Sequence, residues 1–202
     1  MARNTGPTWR ISRRLNFSVL ETGQELAKRP YIPGQHGSPT ARRAKQSNYG
    51  LQKAEKQKLR HMYGLSEKQF YNTYVKAVRM KGNTGTNLFV MLESRLDNLV
   101  YRMGFASTRK QARQIVNHGH VLVDSKKVDI PSAQVKPGQT IEIKDNYKNN
   151  VLVGQSLEAT VSTKDFVEVD KEARKGKYVR HPERKELNQD INELLVIEYY
   201  NR

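Results

Sequence analysis

The sequence predicts an α+β protein, and three features of its pattern indicate that class. Apolar residues recur at helical spacing between Ser47 and Met103. After Gly119 the pattern changes to short stretches in which apolar and polar residues alternate, as they do in half-buried strands. Residues 1–46 precede both parts and combine basic residues with proline and glycine, which is typical of a basic extension.

The N-terminal extension is expected to be mostly disordered by itself. Four pairs interrupt any helix in it, namely Gly6-Pro7, Arg29-Pro30, Pro33-Gly34 and Ser38-Pro39. Its arginines lie among Trp9, Phe17 and Tyr31, whose flat rings suit bases or sugars while the cations suit phosphates. A solvated tail is the alternative. The aromatic residues favour an extension that becomes ordered on RNA.

A first helix is predicted to begin at Ser47 or Asn48, either of which can cap it, and to run through Tyr63 until Gly64 ends it. The residues predicted to face a core are Leu51, Leu59, Met62 and Tyr63. The cations predicted to face away from it are Lys53, Lys56, Lys58 and Arg60. The helix is therefore expected to pack with one face and to present positive charge on the other.

A second helix has the clearest start in the chain. Ser66 and Gln69 have the spacing of a capping box, and Leu65 and Phe70 have the spacing of a hydrophobic staple. The apolar stripe then continues until Gly82. These signals predict a helix that begins directly after Ser66 and packs with one face.

A third helix is predicted from Thr86, which can cap it, to Gly104, which ends it. Its apolar residues recur in steps of three and four, as on one face of a helix. Asp97 lies on this helix beside Arg95 and Arg102. We interpret it as an ion-pair partner, because a general base needs a matched acid and a cleft.

A short basic helix is predicted next, since Thr108 and Gln111 again have capping-box spacing and Gly119 stops the pattern. Its packing face is predicted to consist of Ala112, Ile115 and Val116. Its charged face is predicted to consist of Arg109, Lys110 and Arg113. Such a helix can dock on a core and bind an anion at once.

Short β-strands are predicted after this helix. Val121 and Val123 begin the first strand, the turn is Asp124-Ser125-Lys126, and Val128 and Ile130 form the return. Ser125 leaves the type of turn open. Further strand candidates are residues 140–143, 151–153, 157–161 and 166–169, and residues 171–177 are predicted to be a charged linker. Residues 191–200 are too apolar for a free tail.

The charge of the chain predicts a polyanionic partner. Lys and Arg number 36 and Asp and Glu number 20, which gives a net charge of +16. Residues 1–60 hold 13 basic and 3 acidic groups, whereas residues 121–202 hold 14 of each. An anionic membrane surface is the alternative to nucleic acid, but the basic helices carry compact core-like stripes and no lipidation motif. We therefore expect nucleic acid and no membrane.

Other chemistry is weakly indicated. The chain has no cysteine, which excludes disulfides and thiolate metal sites. His118 and His120 could hold a metal only with Asp124, so RNA contact or turn packing is the better interpretation. No nucleophile elbow, dinucleotide fingerprint or kinase motif occurs. We expect no cofactor, no metal and no enzymatic activity. No apolar segment is long enough to span a membrane, so we expect a cytoplasmic protein.

Several motifs resemble a known family. The stretch TRKQARQIVNHGH, followed by VLVD, KKVDIPS and VKPGQ, resembles the RNA-binding module named after protein four of the small ribosomal subunit. The segments PGQHG, YGLQKAEKQKLRHMYGLSEKQF, RLDNLVYRMGF and INELLVIEYYNR resemble the bacterial ribosomal protein four family outside that module. The resemblance thus covers the full length. Some relatives carry a cysteine-ligated zinc in the extension, from which this sequence departs.

The resemblance implies a domain organisation. A basic extension is expected at 1–46, and a discontinuous helical domain at 47–91 plus 172–202. An RNA-binding module is expected at 92–171, with its core at 95–145 and two helices packed on a small, mainly antiparallel β-sheet. Residues 191–200 are then expected to return and pack on the helices of residues 47–91.

The resemblance also implies a function. A member of this family is expected to bind small-subunit ribosomal RNA at a multi-helix junction, to nucleate assembly of the subunit body, to touch protein five, and with proteins five and twelve to affect decoding accuracy. Arg42, Arg43 and Lys45 are expected near the path by which messenger RNA enters. The candidate RNA-binding residues are Arg3, Arg10, Arg13, Arg14, Lys28, Arg29, His36, Arg42, Arg43, Lys45, Lys53, Lys56, Lys58, Arg60, Arg109, Lys110, Arg113, His118, His120 and Lys126.

Two alternatives remain open at this point. The same module is appended to RNA-modifying enzymes, which need a further catalytic domain of typically more than about 100 residues. Autoregulatory binding to a messenger RNA occurs in some relatives. The only feature of the sequence that speaks against the first alternative is the small size of the parts outside the module.

Overall fold

A computed structural model describes residues 4–37, 45–160 and 163–201, apart from the side chain of His36. The chain divides into two compact units. Residues 1–79 and 189–202 form one, called the terminal unit here, and residues 80–188 form the other, called the central unit. The α+β class is confirmed, while the domain limits at residues 91 and 172 stay a prediction. No helix in the described ranges is both long enough and apolar enough to cross a bilayer.

The described residues form helices and one sheet. In chain order the helices are α1 (Thr8–Leu15), α2 (Gln24–Ala27), α3 (Asn48–Met62), α4 (Glu67–Arg79), α5 (Thr84–Glu93), α6 (Leu96–Arg102), α7 (Arg109–Asn117), α8 (Asp145–Lys148), α9 (Val151–Ala159) and α10 (Glu193–Tyr200). The strands are β1 (Val121–Val123), β2 (Lys126–Lys127), β3 (Thr140–Ile143), β4 (Val167–Asp170) and β5 (Lys175–Tyr178). Single turns of 3-10 helix lie at Gln35–Gly37 and Arg184–Glu186.

The sheet of the central unit is antiparallel throughout, with strand order β2-β1-β3-β5-β4. Val121 pairs with Ile143, and both side chains are fully buried together with Val116 of α7. The sulfur of Met103, at the end of α6, lies so close to Gly176 in β5 that a side chain there would not fit. The fold therefore rests α6 and α7 on one small sheet.

The predicted third helix is wrong as a single element. Asn83 rather than Thr86 caps α5, since its Oδ1 accepts hydrogen bonds from the Gly85 and Thr86 amides at 2.8 and 3.2 Å. The chain is extended at Arg95, which separates α5 from α6. There the Leu96 amide donates to the Ala133 carbonyl at 2.9 Å. Pairing with a distant loop thus interrupts a pattern that looks continuous in the sequence.

Three strand predictions after Gly119 are also wrong, and one predicted linker is in part a strand. Instead of strands at 151–153 and 157–161, residues 151–159 form α9, capped by Asn150, because a short apolar run does not distinguish strand from helix; Val161 lies outside the described residues. The return strand β2 consists of Lys126–Lys127 and does not extend to Ile130. Part of the predicted linker forms β5, which pairs with β3 and β4. The strand predicted at 166–169 is confirmed as β4.

The turn between β1 and β2 accepts backbone strain. Asp124 and Ser125 both have positive φ, 47° and 65°, and Val123 pairs with Lys126. A two-residue loop with these angles is a type I′ hairpin, in which glycine or asparagine is usual. The Asp124 carboxylate offsets part of the strain, since its Oδ1 accepts a hydrogen bond from the Thr140 amide at 2.9 Å.

The helix signals of the sequence are confirmed at two ends and half confirmed at a third. Ser66 and Gln69 form the predicted reciprocal capping box, at 3.2 and 3.3 Å. Gly119 ends α7 with φ of 71°. At the start of α7, Thr108 Oγ1 accepts from the Gln111 amide at 3.2 Å, but Gln111 Oε1 accepts from the Ser107 amide instead of the cap itself. The second hydrogen bond of the capping box is therefore made by Ser107, one residue before the cap Thr108.

The N-terminal extension is more regular than expected. Residues 8–15 and 24–27 are helical although proline and glycine interrupt the segment, and its ordering on RNA stays a prediction. Glu25 is 1% exposed, and its Oε1 accepts hydrogen bonds from the Ser12 hydroxyl, the Ser18 hydroxyl and the Leu20 amide at 3.1, 2.8 and 3.1 Å. Burial favours the neutral acid, but the hydrogen bonds outweigh it and lower the pKa of Glu25. One carboxylate thus organises this segment.

Replacing Glu25 by alanine is expected to loosen residues 8–27. The buried Ser12 hydroxyl and the Leu20 amide lose their acceptor, which costs about 1–3 kcal/mol. Amide hydrogen exchange of the full chain measures the change, and the Leu20 amide is the specific probe. Gln24→Ala, at the exposed neighbouring position, is the control. Unchanged exchange at Leu20 in Glu25→Ala would show that the carboxylate does not hold this segment.

Candidate nucleic-acid interface

Two of the three cations predicted for the charged face of α7 point inward. Arg113 Nη1 lies 3.4 Å from Asp97 Oδ2, and the Arg113 side chain is 11% exposed. Arg109 Nε donates to Asn98 Oδ1 at 2.8 Å, and its guanidinium lies 4.5 Å from the Tyr101 ring centroid. Of the three, only Lys110 is exposed. The prediction of an outward charged face is therefore wrong for Arg109 and Arg113.

Two further arginines form buried ion pairs at α5 and α6. Arg95 forms a bidentate pair with Asp97, at 3.0 and 2.6 Å, which confirms Asp97 as an ion-pair partner. Arg102 forms a second bidentate pair with Glu93, at 3.0 and 2.7 Å. Paired guanidinium groups of this kind fix the geometry of the helices around them. Their role in the central unit is structural.

Lys56 of α3 is buried, although the sequence placed it on the outward face. Its side chain is 3% exposed, and its ammonium lies 2.7 Å from Glu67 and 4.6 Å from the Tyr199 ring centroid. Leu51, predicted to face the core, is 42% exposed. The reason is α10, which packs on α3 and covers the side that carries Lys56. Tyr200 of α10 stacks on Tyr74 of α4, with ring centroids 4.7 Å apart.

Other α3 cations are partly engaged within the terminal unit. Lys58 lies 2.6 Å from Glu55, and Arg60 lies 3.3 Å from Glu67. Lys53 is exposed, with its ammonium 5.8 Å from the Tyr49 ring centroid. Of the four predicted cations of this helix, Lys53 is therefore the most accessible to an external phosphate.

His61 follows Arg60 and is held neutral. Arg60 Nη2 lies 3.1 Å from Nε2 and Asn4 Nδ2 lies 2.9 Å from Nδ1. Because a guanidinium can only donate, Nε2 has to be the unprotonated nitrogen. Burial, Arg60 and Lys56 together lower the pKa of His61 to about 4. The neutral ring thus accepts a hydrogen bond from Arg60 at Nε2 and carries its proton on Nδ1.

The stability of the terminal unit is expected to fall as the pH falls from about 7 to 5. The unfolded chain binds a proton at His61 near its ordinary pKa, whereas the folded chain does not, so acid favours unfolding by about 2 kcal/mol over this interval. Denaturant unfolding followed by Trp9 fluorescence measures the change. His61→Gln, which keeps a hydrogen-bonding side chain, is expected to lose most of this pH dependence. If the stability of the unmodified chain and of His61→Gln depended equally on pH, His61 would not be the group responsible.

The N-terminal extension presents most of the accessible cations of the terminal unit. Arg10 and Arg14 of α1 are exposed, as are Lys28 and Arg29. Of the three aromatic residues predicted to stack on bases, Trp9 is 49% exposed. Phe17 is buried at 4%, and the Arg13 guanidinium covers Tyr31 at 4.9 Å from its ring centroid. The predicted stacking role is therefore wrong for Phe17.

A cluster of rings and lysines lies at the end of α7 in the central unit. We call it the histidine cluster, and its members are His118, His120, Lys127, Lys144 and Tyr147. The His120 and Tyr147 rings stack with centroids 4.0 Å apart and planes 7° apart. The His118 ring meets His120 edge-on at 6.0 Å. Among the described residues, no group of three or more His, Asp or Glu side chains could hold a metal ion.

The predicted site residues fall into three groups. The exposed ones are Arg10, Arg14, Lys28, Arg29, Lys45, Lys53, Lys110, His118 and Lys126. Those that are buried or partly buried and contact other side chains are Arg13, Lys56, Lys58, Arg60, Arg109, Arg113 and His120. Arg3, Arg42, Arg43 and the His36 side chain lie outside the described residues. The set as an RNA interface stays a prediction.

Sequence reasoning missed three members of the histidine cluster. Lys127 was one residue from the predicted Lys126, while Lys144 and Tyr147 follow the third strand and are far from His118 in the chain. The antiparallel pairing of β1 with β3 brings them together. The only signal in the sequence was the strand pattern at 140–143, which fixes the partner strand but not its register.

Comparisons with known proteins give the family. The description "Ribosomal protein S4/S9 N-terminal domain" matches residues 3–93, and the description "S4 domain" matches residues 94–141. The chain is 57% identical over 203 residues to small ribosomal subunit protein uS4 of Latilactobacillus sakei, with 100% of both chains covered. The chain belongs to the uS4 family. It is also 58% identical to the uS4 protein of Phytoplasma australiense and 56% identical to that of Exiguobacterium sibiricum, each over 202 residues and 100% of both chains.

Membership of the uS4 family confirms the resemblance found in the sequence. The two matched regions meet at the end of α5, between Glu93 and Ser94, just before the extended residue Arg95. The S4 domain match spans α6, α7, β1 and β2, and reaches into β3. The relatives are named as ribosomal proteins and not as enzymes, which confirms the expected class of non-enzymatic protein.

Proposed function

We propose that this chain is a structural constituent of the small ribosomal subunit that binds small-subunit ribosomal RNA directly. The observation that carries the proposal is its full-length similarity, at 57% identity, to a protein named for that subunit. The net charge of +16 and the exposed cations of α1 and of residues 28–29 support it, because RNA carries one negative charge per nucleotide. In this role the protein acts in the cytoplasm as part of the ribosome.

The accessible side chains suit recognition of RNA shape. Double-helical RNA hides its base edges in a deep, narrow groove, so proteins bind its phosphates, its 2′-hydroxyls and the form of its junctions. Arg10, Arg14 and Arg29 are exposed, and an arginine fork can bridge two phosphates. Trp9 offers the one exposed aromatic face among the three predicted in the extension.

Finer roles are proposed from the family. We propose that the protein nucleates assembly of the subunit body, contacts protein five, and with proteins five and twelve affects translational accuracy. Lys45, which is exposed, and Arg42 and Arg43 are proposed to lie near the path of the messenger RNA. The internal ion pairs favour a rigid binding scaffold for these roles.

Co-sedimentation tests the proposal. The full chain is mixed with large subunits and with small subunits that have been stripped of their own copy of the protein. It is expected to sediment with the small subunit alone and to remain bound after a moderate salt wash. Retention by both subunits, or release from both at the same salt concentration, would indicate unspecific charge binding. A parallel assay for modified nucleotides in the bound RNA tests the enzymatic alternative.

A further inference from the structure

The histidine cluster gathers basic side chains from three separate segments. His118 follows α7, His120 precedes β1, Lys127 lies in β2 and Lys144 follows β3. The backbone holds the parts together, since the Lys144 amide donates to the His120 carbonyl at 2.9 Å. A Cβ placed on Gly119 would overlap the Lys127 side chain, so that stem lies directly against the backbone. Packing against the backbone at Gly119 therefore helps to hold the Lys127 side chain in place.

The charges around His120 are of one sign. The charged groups that act on its ring are His118, Lys144 and Lys127, and all three are bases. Asp145 follows Lys144 but forms an ion pair with Lys148 at 2.7 Å. Bringing like charges together costs free energy, which a bound anion offsets. A phosphodiester is the anion that an RNA partner supplies at every nucleotide.

We propose that the histidine cluster binds a backbone phosphate of the RNA and that this binding takes up a proton at His120. The proposal rests on the proposed RNA-binding function and names one site of it. Lys127 and Lys144 supply fixed positive charge, and Tyr147 holds the His120 ring flat against its own. The imidazole N–H groups donate to the phosphate oxygens once both ring nitrogens are protonated.

The direction of the pH effect follows from the charges. Burial and the three basic neighbours lower the pKa of His120 in the free protein. A phosphate beside the His120 ring favours its protonated form, so the bound state holds more protons than the free state. Affinity therefore rises as the pH falls. For each pKa unit by which binding raises an imidazole, the affinity at low pH exceeds that at high pH by about tenfold.

The test measures the affinity of the full chain for small-subunit ribosomal RNA at constant ionic strength between about pH 8 and pH 5.5. The affinity is expected to rise by about tenfold over this interval. His118→Gln, at an exposed position, is expected to reduce that rise. Lys144→Gln, also exposed, is expected to weaken binding at every pH and to lower the salt exponent by about 0.7–0.9.

A matched control comes from the same unit. His181 is exposed and lies 3.0 Å from the Tyr178 hydroxyl, outside the histidine cluster, so His181→Gln is expected to keep the full pH dependence. An affinity that does not change with pH, or an equal loss of pH dependence in His118→Gln and His181→Gln, overturns the proposed site while RNA binding itself stands. Absence of RNA binding by the unmodified chain at every pH overturns the proposed function as well.

Discussion

Replacing Glu93 by alanine is expected to destabilise the central unit by about 3–5 kcal/mol, the cost of breaking a buried ion pair from one side. Glu93 is fully buried, and its carboxylate accepts two hydrogen bonds from Arg102 and one from Asn98, at 2.6 Å. Without it, the Arg102 guanidinium remains enclosed and uncompensated. Amide exchange in β1 and β3 measures the loss, because Trp9 reports on the terminal unit only.

A surface ion pair in the same unit provides the control. Asp145 pairs with Lys148 at 2.7 Å, but its side chain is 92% exposed. Asp145→Ala is expected to leave stability almost unchanged, because water screens the pair. If Glu93→Ala were no more destabilising than Asp145→Ala, the buried network would not hold α5 and α6 together.

Local signals in the sequence predicted the ends of elements well. The capping box of Ser66 and Gln69 and the stop at Gly119 depend on residues within one turn of the chain, and the structure confirms both. Failures occurred where a distant segment decides the outcome. The loop at residues 133–135 pairs across Arg95 and divides a helix that has a continuous apolar pattern.

The candidate site was harder to predict for the same reason. On α3 the buried stripe runs through Gln52, Lys56, Leu59 and Met62, so two polar residues occupy positions that composition assigns to the surface. The aromatic rings of α10 cover Lys56, and Glu198 of α10 receives a hydrogen bond from Gln52 at 2.9 Å. A helical wheel of α3 shows only the residues of α3, and not that α10, at residues 193–200, packs on it. Likewise, Arg109 and Arg113 look like surface cations until α6 supplies Asn98 and Asp97.

Replacing Arg10, Arg14, Lys28 and Arg29 together by alanine is expected to weaken RNA binding steeply while leaving the fold intact. All four side chains are exposed, and alanine is the best helix former for the two positions in α1. Each phosphate contact contributes roughly 0.7–0.9 to the exponent of the salt dependence, so the slope of log affinity against log salt is expected to flatten by about three. Filter binding of ribosomal RNA at several salt concentrations measures it.

The matched variant removes the same charge elsewhere. Lys136, Lys164, Lys171 and Lys177 are exposed and belong to residues 121–202, where basic and acidic groups are equal at 14 each. Alanine at these four is expected to change the slope by less than about one, because the neighbouring carboxylates repel phosphates from that surface. If both variants flattened the slope equally, binding would follow total charge alone. The cations of α1 and of residues 28–29 would then not form a specific part of the RNA interface.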